Sequence, residues 1–227
     1  MKERRIFRPI LAGAKGKDRA LACAGAVAGI TLVAFGGMLI DGPVDVDAWI
    51  FAPVGASAVL LFAVPASPLT QPWPVVGGSV LSAAVGILVG SIVGSEAVAV
   101  GLAVGLAIGV MSLTRSLHPP GGAFAITAVL GLSAGFSAES LLPLVMVAFD
   151  TLGIVLIAMA FHRLASGHSY PHVALQAPPT RAAAVAFGPE DVDSVLARMD
   201  DSFDISRQDL EAILRAVEEE ALGRAQP

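Results

Sequence analysis

Between residues 20 and 161 the chain carries only seven Asp, Glu, Lys or Arg residues, namely Asp41, Asp45, Asp47, Glu96, Arg115, Glu139 and Asp150, out of 33 in the whole sequence. No water-exposed surface can be covered with so few charges, whereas a lipid-facing one requires that scarcity. In hydrocarbon every backbone amide and carbonyl must find its partner within the protein, which leaves helices as the economical solution for runs of this length. The expected fold class is therefore an all-α membrane protein. The composition agrees: 55% of residues are hydrophobic, 15% are charged and the mean hydropathy is +0.76.

The charges set the domain organisation. Residues 1–19 hold seven Lys/Arg against two acids, and residues 162–227 hold eleven acids against six Arg. We expect a basic cytoplasmic N-terminus (1–19), a transmembrane domain (20–171), an Ala/Pro-rich linker (172–188) and a helical tail (189–227). The first apolar run, 20–40, is long enough to cross a hydrocarbon core of about 30 Å and is read as an uncleaved, orienting helix. Further apolar runs are 48–64, 75–93, 97–114, 119–132 and 141–161. The runs 48–64 and 119–132 are short and broken by Pro and Gly. If all six cross, the termini, the 65–74 loop and Arg115 fall on the cytoplasmic side, and the acids 41, 45, 47, 96 and 139 fall outside, as the positive-inside tendency favours. If the two short runs only dip in, four helices cross and Arg115 moves outside.

The two short runs also match each other. PVGASAVL (53–60) and PGGAFAIT (120–127) share Pro53/Pro120, Gly55/Gly122, Ala56/Ala123 and Ala58/Ala125 at an offset of 67. Each is the middle member of a long, short, long triplet. Three crossings per unit would make the copies inverted, the 3+3 plan of many transporters, with interrupted helices meeting near the midplane.

The segment TRSLHPPGGA (114–123) is the most unusual of the membrane body. Pro119 holds His118 in extended geometry, Pro120 suits a first helical position, and Gly121 and Gly122 allow close approach by a backbone or a solute. A helix start after His118 would present amide donors and a positive dipole end to a small anion. The matching start after Pro53, with Gly55 and Ser57, is expected to do the same from the other half. The connector PASPLTQPWPVVGGS (65–79) has too many prolines for a regular helix and offers Ser67, Thr70, Gln71 and Ser79, with Trp73 as an interfacial anchor. Gln71 is expected to contact the substrate. Asp150 stands inside the last run, where an unpaired carboxylate is costly, so it is expected to face the protein interior or water, with Arg115 and His118 as available partners. Gly86/Gly90/Gly94 and Gly101/Gly105/Gly109 supply the four-residue spacing of close helix packing. In the tail, 190–200 and 206–222 read as amphipathic helices with apolar stripes Val192, Val195, Leu196, Met199 and Leu210, Ile213, Leu214, Val217; Ser206 caps the second.

The lone Cys23 excludes an internal disulfide and a cysteine metal site, and no HExxH, GxSxG, P-loop or paired-carboxylate pattern is present. No enzymatic activity, cofactor, metal or nucleic-acid partner is expected.

APVGASAVLLFAVPASPLTQPWPVVGGSVLSAAVG (52–86), HPPGGA (118–123) and HRLASGHSYP (162–171) together resemble the HPP family of small integral membrane proteins, named for its His-Pro-Pro motif. The resemblance spans roughly residues 15–172. It implies nitrite transport, the activity known for chloroplast and cyanobacterial members, and it implies four transmembrane helices, against the six preferred from the charges. Gly121 departs from the Ala usual in the family. Residues 189–222 resemble the linker that leads into paired CBS domains in bacterial members, so a chain stopping at Pro227 reads as either a truncated or a short natural form.

The function expected is a channel or transporter for a small inorganic anion, nitrite by resemblance, in the inner (plasma) membrane with both termini cytoplasmic. The alternative is a membrane-anchored ligand sensor signalling through the tail. The apolar stripes of the tail would need a partner surface, and a homodimer or higher homo-oligomer supplies it.

Overall fold

The computed structural model describes residues 16–40, 47–172, 189–198, 205 and 210–218. The extreme N-terminus, Asp41, Asp45, the 173–188 linker, Met199 and Ser206 lie outside these residues. Every regular element among them is helical: α1 (Gly16–Ile40), α2 (Asp47–Ala63), α3 (Ser79–Ile92), α4 (Glu96–Leu113), α5 (Gly121–Ser133), α6 (Leu142–Phe161), α7 (Pro189–Arg198) and α8 (210–218). A 3-10 turn (Pro68–Thr70) and a π-helical turn (Pro74–Gly78) lie between α2 and α3, and a second π-helical turn (His162–Ser166) closes α6. The all-helical fold follows from the apolar runs, since helices satisfy their own backbone in lipid.

Among the described residues, four helical stretches are long and apolar enough to cross a bilayer: Gly16–Gly37, Pro74–Ile92, Glu96–Leu113 and Leu142–Ser166. Two shorter apolar helices, Ala52–Ala63 and Gly121–Ser133, accompany them. At 1.5 Å per residue α5 is only about 20 Å long, short of a ~30 Å hydrocarbon core. These are the two runs whose prolines and glycines set them apart in the sequence. The prolines act differently in each. Pro120 directly precedes α5 as its N-cap residue, whereas Pro53 lies inside α2, seven residues before Leu60 and well past Asp47. The expected helix start after Pro53 is therefore corrected: α2 has already begun at Asp47, and Pro53 removes one amide from its interior instead of opening it.

Packing relates the two halves. α1 packs on α2 and α6; α4 packs on α5 and α3; α3 also packs on α5, and α6 on α2; α3 meets α6, and α2 meets α5. Exchanging α1 with α4, α2 with α5 and α3 with α6 maps this set of pairs onto itself. Glycines make the closest approaches possible. A Cβ on Gly86 would stand 2.3 Å from the Ala125 carbonyl oxygen, and one on Gly78 would stand 2.3 Å from that of Ser116, so α3 and the 116–125 segment touch backbone to backbone. Gly101, Gly105 and Gly109 on α4 meet nothing within 4 Å. That face of α4 points away from the bundle, while Ala99, Ala103, Ala107 and Met111 are buried against it.

Candidate functional site: a polar knot at one end of the bundle

Three segments far apart in sequence converge where α2, α4 and α6 end and α3 and α5 begin. The prolines of the 65–74 connector explain why. Each lacks an amide hydrogen, so a carbonyl three or four residues earlier loses its usual helical donor. Pro65 cannot serve Leu61, Pro72 cannot serve Leu69 in the 3-10 turn, and Pro74 cannot serve Thr70. A distant side chain serves each of these oxygens. His162 Nε2 lies 3.0 Å from the Leu61 oxygen, His118 Nδ1 lies 2.8 Å from the Leu69 oxygen, and the Tyr170 hydroxyl donates to the Thr70 oxygen at 2.8 Å. A buried carbonyl left without a donor costs about 1–3 kcal/mol, so these three bonds carry real stability.

A carbonyl can only accept, which assigns the tautomers: His118 carries its proton on Nδ1 and His162 on Nε2. The other ring nitrogens then accept. Ser166 Oγ is 2.7 Å from His162 Nδ1, and Ser57 Oγ is 2.9 Å from His118 Nε2. Ser57 Oγ also lies 3.2 Å from the Pro53 oxygen, and its single proton serves one partner at a time. His118 thus ties α2, the proline connector and the entry to α5 together. It is fully buried, and burial lowers its pKa to about 4, partly offset by the bond to Leu69. Burial likewise raises Tyr170 above the usual phenol range, which keeps it a donor.

Gln71 is a second tie. Its Nε2 donates to the oxygens of Ser67 (2.8 Å) and Pro65 (3.1 Å), and its Oε1 accepts from the His172 amide at 2.9 Å. Trp73, half exposed, donates from Nε1 to the Thr114 oxygen at 3.1 Å. The knot therefore joins the 64–73, 114–120 and 162–172 segments at one end. Gly25, early in α1, belongs there too, since a Cβ on it would meet Phe62 and Phe161. Odd-numbered helices α1, α3 and α5 leave from this end, and even-numbered helices return to it.

The candidate site residues fall into three groups. His118, Ser57, Pro120 and Gly121 are brought together and buried, with Pro53 beside Ser57 in α2; Pro119 is exposed on the same turn. In the first turn of α5 the amides of Gly121, Gly122 and Phe124 bond the oxygens of His118, Pro119 and Pro120, so most of the donors expected to face an anion are occupied. A Cβ on Gly121 would stand 2.7 Å from both Met111 Sδ and Ser82 Oγ, so an alanine here requires those two side chains to turn aside. Gly55, by contrast, has nothing within 4 Å of a would-be Cβ. Arg115 is exposed at a left-handed turn (φ 54°), apart from buried Asp150, and the two ring nitrogens of His118 are taken by Leu69 and Ser57. Of the two available partners named for Asp150, His118 thus has both ring nitrogens engaged elsewhere. Asp150 lies on the inward stripe of α6 with Val147, Thr151, Ile154, Val155 and Ala158, so it faces the protein as its chemistry demands.

The sequence reading missed three participants: His162, Tyr170 and Ser82. For the first two a signal existed, since each proline forecasts an orphaned carbonyl, but nothing in the sequence says which distant donor answers.

The comparisons point the same way as the three convergent segments. Residues 12–171 match the family model described as HPP, transmembrane region. Two transmembrane proteins of Dictyostelium discoideum are similar over 120 residues each: one at 34% identity, covering 51% of this chain and 42% of that protein, and one at 38% identity, covering 51% and 38%. The chain thus spans about two fifths of the length of these relatives. No solved structure matches it. The match takes in all of α1 to α6 and, but for His172, the knot that joins them, and on that extent the chain belongs to the HPP family of integral membrane proteins.

Proposed function

We propose that the chain carries a small inorganic anion across the membrane, nitrite being the ion that its family resemblance favours. The observation behind this reading is the exchange pattern of helix contacts, in which two three-helix units, each with a short middle helix, pack as interchangeable partners. Such a plan supports alternating access, with each unit lining the path from one side. The alternation of helix directions supports six membrane segments, and the basic N-terminus favours the knotted end as the cytoplasmic one.

The two ends differ in a way that suits a path open on one side. At the far end a cavity of about 280 Å³ is lined by residues that include Gly90, Gly94, Glu96, Ala99 and Val129. Glu96 sits in the first turn of α4, where the positive end of the helix dipole offsets its charge. An offset of 67 relates Gly94 to Phe161 and Val129 to Phe62. Those two phenylalanines meet edge to face at the knotted end, with centroids 5.5 Å apart and an interplanar angle of 88°. Large rings fill one end where small residues leave the other open.

The test is anion flux into proteoliposomes of the purified chain, with nitrite as the probe. Uptake above protein-free liposomes, saturable in nitrite, is the expected result; rates equal to empty vesicles sink the transport reading.

A further inference from the structure

Ser79 and Ser82, one turn apart at the start of α3, are both fully buried, and among the described residues neither hydroxyl has a hydrogen-bond partner. Other hydroxyls on the bundle helices turn back onto their own helix: Ser112 onto Ile108, Thr114 onto Val110, Thr151 onto Val147. Ser79 and Ser82 do not, so their protons are available to something else. Their place is informative. Ser82 Oγ lies 2.7 Å from where a Cβ of Gly121 would stand, against the amino end of α5, and neighbouring Gly78 is pressed on the Ser116 carbonyl beside His118.

A crevice between α3, α5 and α6 runs past the next residue of α3, Ala83, with neither serine in its lining. Its walls run from Phe136, Ser137 and Pro143 at the far end to Ala83 and Phe124, next to Ser82 and one turn beyond Gly121. Two buried hydroxyls without acceptors, Ser82 set against the positive end of α5, make a set of donors that a small oxyanion satisfies.

We propose that Ser79 and Ser82 are anion ligands, forming a binding subsite for a small inorganic oxyanion beside the amino end of α5, which contributes its positive dipole while most of its first-turn amides stay bonded. This rests on the transport reading above and names the residues that hold the ion. The α3–α5 contact at Gly78, Gly86 and Gly121 is closed in this structure, so occupancy requires α3 and the 116–125 segment to part.

The experiment compares wild type with Ser79→Ala, Ser82→Ala and the double variant in two readouts: saturable nitrite flux, and nitrite-dependent thermal stabilisation of the detergent-purified protein. The expected result is an apparent KM raised about tenfold in the double variant, and loss of the nitrite-induced rise in Tm, with Tm in the absence of nitrite unchanged or higher because two unsatisfied hydroxyls are gone. Wild-type KM and wild-type nitrite stabilisation in a well-folded double variant overturn the proposal while leaving transport standing. A wild type that shows neither flux nor stabilisation overturns both.

Discussion

Tyr170 donates its hydroxyl proton to the carbonyl oxygen of Thr70, one hundred residues earlier in the chain, at 2.8 Å, and Thr70 is the residue whose helical donor Pro74 removes. The geometry makes Tyr170 part of the proline connector in all but sequence. His118 on Leu69 and His162 on Leu61 repeat the arrangement. Removing only the hydroxyl isolates its contribution. Tyr170→Phe keeps the buried ring and leaves the Thr70 oxygen without its donor, so unfolding in detergent should show a loss of about 1–3 kcal/mol. Ser169→Ala, at an exposed neighbour, should change nothing. Equal stability of both variants would show that water replaces the phenol and that the tie is dispensable.

The imidazole of His118 gives a pH dependence with a definite sign. Its pKa falls from 6.5 to about 4 on burial, so between those values the unfolded chain binds the extra proton and the folded one does not. Stability from this group is complete above about pH 6.5 and is lost as pH falls toward 4. From pH 7 to pH 5 the loss is on the order of 2 kcal/mol. His118→Gln, though less stable throughout, should lose that part of the slope. Parallel stability curves for the two proteins across pH 5–7 would mean that the ring is hydrated or already paired when charged.

How much of this was legible in the sequence depends on whether the cause is local. The charge gap, the helical class and the break before α5 follow from residues acting on their own neighbourhood, so Pro119, Pro120 and the glycines after them predicted a helix start that the structure has. Pro53 sits in the same motif but inside α2, because Asp47 to Ala52 already form helix ahead of it; a shared pattern did not mean shared backbone. The His118–Leu69 and Tyr170–Thr70 ties were not legible, since periodicity carries no information on which distant donor meets an orphaned carbonyl. Gln71 and Arg115 were both picked for their chemistry. Gln71 spends its amide on loop carbonyls, and Arg115 stands exposed on a left-handed turn.

Sidedness is tested at two exposed loop positions at opposite ends of the bundle. Arg115 lies in the connector that meets the knot, and Glu139 lies in the 134–141 connector between α5 and α6. In a Cys23→Ser background, single cysteines at the two positions should react with a membrane-impermeant thiol reagent from opposite sides, Arg115→Cys only after the cytoplasmic face is exposed. Labelling of both from outside intact cells rules out six crossings with a cytoplasmic knot.

The filled end of the bundle predicts a leak. Phe62→Val gives the knotted end the residue that its counterpart, Val129, supplies at the open end, and it removes the ring that packs on Phe161 and His162. The cost should stay below the about 3–5 kcal/mol of a core Phe→Ala change, so the protein remains folded. Nitrite flux should rise severalfold and lose its saturation as both ends open together. An unchanged rate in a folded variant would assign the Phe62–Phe161 pair to packing alone.

The tail sharpens the question of self-association. Val192 and Leu196 of α7 are buried with Ile205 and Leu210 packed against them, so part of each apolar stripe is used between the two tail helices. Leu210 is therefore a poor probe of oligomerisation, since changing it breaks the tail itself. Ile213 and Val217 remain 52% and 61% exposed on the same helix, and Val195 is 38% exposed on the other. Burying three such side chains is worth about 1.5–3 kcal/mol each at full burial, and a two-fold contact between copies is the simplest way to gain it. Ile213→Asp with Val217→Asp should shift the detergent-solubilised particle toward monomer by light scattering without changing its thermal unfolding. If the particle keeps its mass, the tail does not hold the copies together. The outward face of α4, where Gly101, Gly105 and Gly109 meet nothing within 4 Å, then becomes the surface to block next with Gly105→Leu.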